Sequence, residues 1–178
     1  MSKRNGFIYK AIQTLCWLIF AGLCVQTGAL LFNFIYSLFR PVATHNLHLG
    51  LDLSQLYEQS LSLYILLFGL LLALSALKAV VFYFVLRLFK KLTLTRPFTA
   101  TVAGLVTTIS SVAFSVGALS YLAHQFTQRL TQKGYGVNQV ERYWNDSDAY
   151  FMMAAILFAI ALVLKRGIEL QQETDLTV

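Results

Sequence analysis

Polar and apolar positions along this chain separate into four long apolar runs divided by shorter polar stretches. Ala11 to Phe39 holds 29 residues without a charge, Leu61 to Leu86 holds 26 with one, Lys78, Val102 to Leu122 holds 21 with none, and Ala149 to Leu164 holds 16 with none. A helix crosses a hydrocarbon core in about 20 residues, so the first three runs predict transmembrane helices by length alone. The fourth spans only about 24 Å at 1.5 Å per residue. Asp146 and Asp148 at one end and Lys165 and Arg166 at the other bracket it as interface markers, which makes it a span as well.

Composition agrees. Of the 178 residues 57% are apolar and 12% charged, against about 45 to 50% and about a quarter in soluble domains. The net charge of +6 comes from basic residues scattered between apolar runs, not gathered in a stripe, so direct nucleic-acid binding is not expected. Two prolines and no Ser/Gly-rich tract argue against disorder. Cys16 and Cys24 lie on one helix about 12 Å apart and cannot bridge. Lys3 and Arg4 before an apolar stretch, with Ala21-Gly22-Leu23-Cys24 following, imitate a secretory signal. The leucine before the cysteine and the unbroken run to Phe39 instead predict an uncleaved first helix.

Basic residues set the orientation. Lys3, Arg4, Lys10, Arg87, Lys90, Lys91, Arg96, Lys165 and Arg166 make nine on one side, and Arg40, Arg129, Lys133 and Arg142 make four on the other. Both termini and the second inter-helix loop are therefore expected in the cytoplasm. No internal repeat points to an inverted-repeat transporter. The expected fold is all-α, a polytopic four-helix membrane bundle forming one domain over residues 1–178. Its spans run approximately 11–39, 61–86, 102–122 and 149–164, with a cytoplasmic tail at 165–178. Asp146 or Ser147 is the expected N-cap of the fourth helix, and Arg96-Pro97-Phe98-Thr99 the start of the third.

Lys78 lies about 13 Å along the helix from Arg87, deeper than a lysine snorkels with ease. With no carboxylate in any span, its expected partners are hydroxyls, carbonyls or water, and the third helix offers Thr107, Thr108, Ser110 and Ser111 at matching depth. An ion or ligand site is one reading. A lysine tied to hydroxyls is the simpler one. Gly104, Thr108, Ser111, Ser115 and Ala118 form a small, partly hydroxylated stripe suited to close helix packing, and Ala21 and Gly28 offer a smaller one that leaves room for a homo-oligomer. Gln13, Gln26 and Asn33 are expected to form interhelical hydrogen bonds.

No cofactor or metal is expected. His45, His48 and His124 offer too few ligands, no histidine sits at membrane depth to hold a haem, and Lys133-Gly134-Tyr135-Gly136 matches no phosphate loop. Nucleophile, base and oxyanion donors do not converge either, so the chain does not read as an enzyme.

The tail is the most informative stretch. Lys165 and Glu169 stand four apart on a helix extending the last span, and Leu176 and Val178 alternate in a segment suited to strand addition or carboxylate capture. A solvated, frayed end is the competing reading. The run Arg166-Gly167-Ile168-Glu169-Leu170-Gln171-Gln172-Glu173-Thr174-Asp175-Leu176-Thr177-Val178, with Pro97-Phe98 before the third helix, resembles the bacterial membrane family designated domain of unknown function number twenty-nine seventy-five. Its members carry four spans along the whole length and a tail of the form R-G-x-x-L-x-x-E-x-D-L-T-V. Thr174 departs from the asparagine or other polar residue expected there. The family has no established activity, but members are often encoded beside a small helix-turn-helix regulator. The resemblance thus implies an inner-membrane anchor or sensor, with Arg166, Gly167, Glu169, Leu170, Glu173, Asp175, Leu176 and Val178 of the tail and the Arg87 to Thr99 loop together holding or releasing the regulator. The alternative is a small transporter, channel or immunity-type protein working through Lys78 and the third-helix hydroxyls.

Overall fold

The computed structural model describes residues 3–91 and 99–175. All regular structure among them is helical. Four long helices, α1 (Lys3–Phe39), α3 (Leu61–Lys91), α4 (Ala100–Gln132) and α5 (Ser147–Asp175), are joined by short 3-10 turns and one small helix, α2 (Ser54–Gln59). Each long helix is long and apolar enough to cross a membrane. The described residues thus form an all-α four-helix bundle fit for a multi-pass membrane protein.

The extensive interfaces are α1 with α3, α3 with α4, and α4 with α5, so the helices pack as neighbours in chain order. Consequently α3 and α4 are the buried members, while α1 and α5 show most of their apolar side chains on the outside. Leu18, Val25 and Phe32 of α1 and Met152 and Val163 of α5 are among those exposed. In water such surfaces would aggregate; against lipid tails they are the expected exterior.

All four helices outrun the predicted spans. α4 continues through His124 to Gln132 because Ala123, Thr127 and Leu130, spaced four and three apart, stay on its buried face. It stops in a Schellman arrangement. Gly134 takes a positive φ of 86°, its N–H bonds the Thr131 carbonyl at 3.0 Å, and the Tyr135 N–H bonds the Leu130 carbonyl at 3.2 Å. At the other end Thr99 caps α4, its hydroxyl accepting from the Val102 N–H at 3.3 Å. Residues 96–98 of the predicted start lie outside the described residues.

Segments 40–60 and 133–146 close one end of the bundle as a cap. Leu47, Leu51, Leu53, Leu56, Val137, Val140 and Trp144 are buried there in one cluster with Leu30, Tyr64 and Phe68 of the long helices. The Leu47 N–H bonds the Leu51 carbonyl at 2.8 Å around Gly50, whose φ of 72° closes the turn. Ser60 starts α3, its hydroxyl accepting from the Leu63 N–H at 3.4 Å. The first residues of α1 and α4 and the last of α3 and α5 are at the opposite end.

Candidate functional site

Lys78, midway along α3, is held by the stretch that leads into α5. Its ammonium donates to Asp146 Oδ2 at 2.5 Å and to the Tyr143 carbonyl at 3.4 Å, and it sits 5.6 Å from the centre of the Tyr150 ring. Asp146 and Tyr150 stand four apart, hence on one face at the start of α5, and this spacing lets both reach one cation. The carbonyl partner agrees with the sequence expectation, but the structure corrects the rest of it: the second partner is a carboxylate, not a third-helix hydroxyl. Asp146, expected at the interface as a cap, instead gives its Oδ2 to Lys78, and its Oδ1 is buried without a hydrogen-bond partner. Nor does Ser147 cap α5; its hydroxyl donates to Asp148 Oδ1 at 3.4 Å.

The third-helix hydroxyls are occupied elsewhere. Thr107 bonds the Ala103 carbonyl at 2.9 Å, Thr108 that of Gly104 at 2.9 Å, and Ser111 that of Thr107 at 3.1 Å, each one turn back on its own helix. Ser110 alone of the four crosses to a neighbour, donating to the Ala154 carbonyl of α5 at 2.8 Å. The small stripe is not the packing face either. Gly104, Ser111 and Ser115 are exposed, and Ser111 and Ser115 line an open groove beside Phe151 and Phe158. Close approach of α4 and α5 occurs instead at Gly117, where an added Cβ would lie 3.1 Å from the Phe151 ring.

Nor does Asn33 reach across helices; it bonds the Ala29 carbonyl one turn back at 2.8 Å. Two interhelical bonds that the sequence did not announce tie α1 to α3. Thr27 and Ser75 hydroxyls meet at 2.7 Å, and Ser37 meets the Tyr64 hydroxyl at 2.5 Å. Both pairs are polar residues inside apolar runs, the one signal that marks them in the sequence.

In the cap, His45, Asp52, Ser54, Gln55, Glu58, Gly136 and Gln139 line a polar groove of about 500 Å³. Asp52 Oδ1 accepts from the Ser54 hydroxyl at 2.7 Å and from its N–H at 2.9 Å, and these bonds, helped by His45 3.7 Å away, hold the carboxyl below its ordinary pKa. Among the described residues, no three His, Cys, Asp or Glu side chains gather as a metal site. His124 is apart from His45 and His48, on α4, 2.9 Å from the Gln128 amide.

The tail divides. Through Asp175 the backbone is a continuation of α5, with no break after the last apolar residue of the span, Leu164. Arg166, Glu169, Leu170 and Glu173 are exposed on it, and Gly167 is half-buried. Arg166 pairs with Glu169 at 2.8 Å, a bond one turn long, in place of the expected contact of Glu169 with Lys165. Leu176 and Val178, on which strand addition or carboxylate capture rested, lie outside the described residues. No known protein family, no characterised protein and no solved structure matches the chain.

Proposed function

We propose that this chain is a non-enzymatic, multi-pass inner-membrane protein whose cytoplasmic tail docks a soluble partner. The observation that carries the reading is the unbroken run of α5 from Ser147 to Asp175, which takes the helix about 16 Å past Leu164. A span needs no such extension to stay in a bilayer. Arg166, Glu169, Leu170 and Glu173 fall three, four and seven positions apart and so share one side of it. An apolar residue flanked by acids on a rigid helix suits docking into a partner's groove. The nine-to-four bias of basic residues supports a cytoplasmic position for this tail. The tail's resemblance to the family named above nominates a helix-turn-helix regulator as the partner. A polar conduit around Lys78 has less support, because its charge is matched within the chain and Thr107, Thr108 and Ser111 close on their own helix.

The test is affinity purification from gently solubilised native membranes, comparing the full chain with one ending at Arg166. A soluble DNA-binding protein recovered with the full chain alone, and lost with Glu169→Lys plus Glu173→Lys, supports docking. Two well-folded proteins that recover no soluble partner would overturn it.

A further inference from the structure

At the end of the bundle opposite the cap, α1 and α3 enclose a second groove, of about 490 Å³, lined by Trp17, Phe20, Tyr83, Leu86, Arg87, Lys90 and Lys91. Its chemistry is two-sided. Trp17 and Phe20 meet edge to face at 5.9 Å, and Phe20 and Tyr83 follow at 6.4 Å, giving a continuous aromatic wall. Arg87, Lys90 and Lys91, at positions one turn apart, put three exposed cations along its rim. Lys90 lies 5.7 Å from the centre of the Trp17 ring. Among the described residues, no acidic side chain lines the groove. Lys10, seven residues before Trp17 and so on the same side of α1, adds a fourth cation about 10 Å away.

The position along α3 decides what such a groove meets. Leu86 ends its longest apolar run, so the aromatic wall faces the outer part of the acyl region and the cations face the headgroups. An exposed tryptophan and tyrosine at this height are interfacial anchors, and a cluster of unlike-charge-free cations between two spans is matched by a lipid phosphate. We infer that the groove between α1 and α3 is a binding site for the headgroup of an anionic phospholipid, with Arg87, Lys90 and Lys91 on the phosphate and Trp17, Phe20 and Leu86 on the upper acyl chain. Charge complementarity selects this occupant over a zwitterionic lipid, whose choline or ethanolamine would face the same cations. The inference is independent of tail docking, since none of the described tail residues lines the groove.

The two tryptophans provide the assay. Trp17 is 46% exposed in the groove, and Trp144 is 1% exposed in the cap. Trp144 Nε1 has no hydrogen-bond partner, so Trp144→Phe leaves no acceptor orphaned and isolates Trp17 as the reporter. The variant is reconstituted in phosphatidylcholine vesicles containing a minor fraction of chain-brominated phosphatidylglycerol, or the same fraction of brominated phosphatidylcholine. Quenching stronger with the anionic lipid is expected, and Arg87→Gln, Lys90→Gln and Lys91→Gln together should abolish the preference, at roughly fivefold in relative affinity per charge. Lys90→Arg should retain it. Equal quenching by both lipids overturns the inference, as does a preference that survives the triple substitution in protein of unchanged helical content. Loss of the preference on adding inorganic phosphate would assign the cations to a free anion and also overturn it. If Trp144→Phe does not fold, the same comparison on the unmodified chain, read as the difference between the two lipids, gives the answer.

Discussion

Removing either partner of the Lys78–Asp146 pair should harm the protein, and unequally. Lys78 has 17% of its side chain exposed and Asp146 42%. Asp146→Asn leaves an ammonium in a largely dry place with the Tyr143 carbonyl and Tyr150 ring as its remaining neighbours, and an unmatched buried charge costs about 3 to 5 kcal/mol. The lower end applies, because those two neighbours stay. Lys78→Met leaves a carboxylate that is nearly half exposed and can take up water, so the cost falls to about 1 kcal/mol. In the double variant no charge is stranded, and Lys78→Met should recover most of the loss. The double variant then loses about 1 kcal/mol and the coupling is about 3 kcal/mol, at the upper end of the range that double-mutant cycles report. At about 2 to 4 °C per kcal/mol, Asp146→Asn alone lowers Tm by about 6 to 12 °C. Thermal unfolding in mild detergent, followed by circular dichroism and by the emission of Trp144, two residues from Asp146, measures all four corners of the cycle. Single-variant losses that simply add, to within about 0.5 kcal/mol, would refute the reasoning. Partner recovery should be the same in all three variants wherever they fold.

At the α4–α5 contact, Gly117→Val should destabilise by about 1 to 3 kcal/mol through overpacking against Phe151, and Phe151→Leu in the same chain should recover much of it in the same melt. Ser110→Ala removes the bond to the Ala154 carbonyl and should cost about 0.6 kcal/mol, the usual scale of interhelical bonds in membranes, read from chemical or thermal unfolding. Asp52 has a folded pKa below its unfolded one, so its contribution is fully present above the ordinary carboxylate pKa of about 3.9 and fades as pH falls through the lower folded value. A carbon-detected titration should find that midpoint depressed, and Ser54→Ala should move it upward. Ending the chain at Arg166 should leave helical content per residue and Tm of the bundle unchanged.

The four helices were legible because an apolar run of bilayer length has one economical structure, whereas which of them pack against each other was not. Their ends were less legible. Residues 123–132 of α4 look like an outer loop when read for hydropathy, yet Ala123, Thr127 and Leu130 repeat at helical spacing, and the cap they meet is assembled from segments far apart in sequence. Lys78 was identifiable as a buried charge, but its partner was not. Counting residues from the nearest charge gives depth along one helix, whereas Asp146 is 68 positions away and reaches Lys78 through the way the 138–146 segment folds into the bundle. Hydroxyls on α4 looked like partners since sequence reports their depth but not their rotamers, and an i−4 carbonyl is always within reach of a helical serine or threonine.

α5 is fastened near its first turn by Asp146 and Tyr150 and runs 29 residues from there, about 43 Å, along the margin of the bundle. Beyond that point it stays packed on α4 through the Ser110–Ala154 bond and the Gly117–Phe151 contact, and Ala161 is still buried. A bend of about 10° after Ala161 would carry the Glu173 end, about 18 Å further on, about 3 Å sideways while leaving Lys78's surroundings in place. The stretch of α5 beyond Ala161 therefore has the longest travel of any part of the helix, and it is the end of the burial on α4, far from the Lys78 pair, that sets where this travel begins.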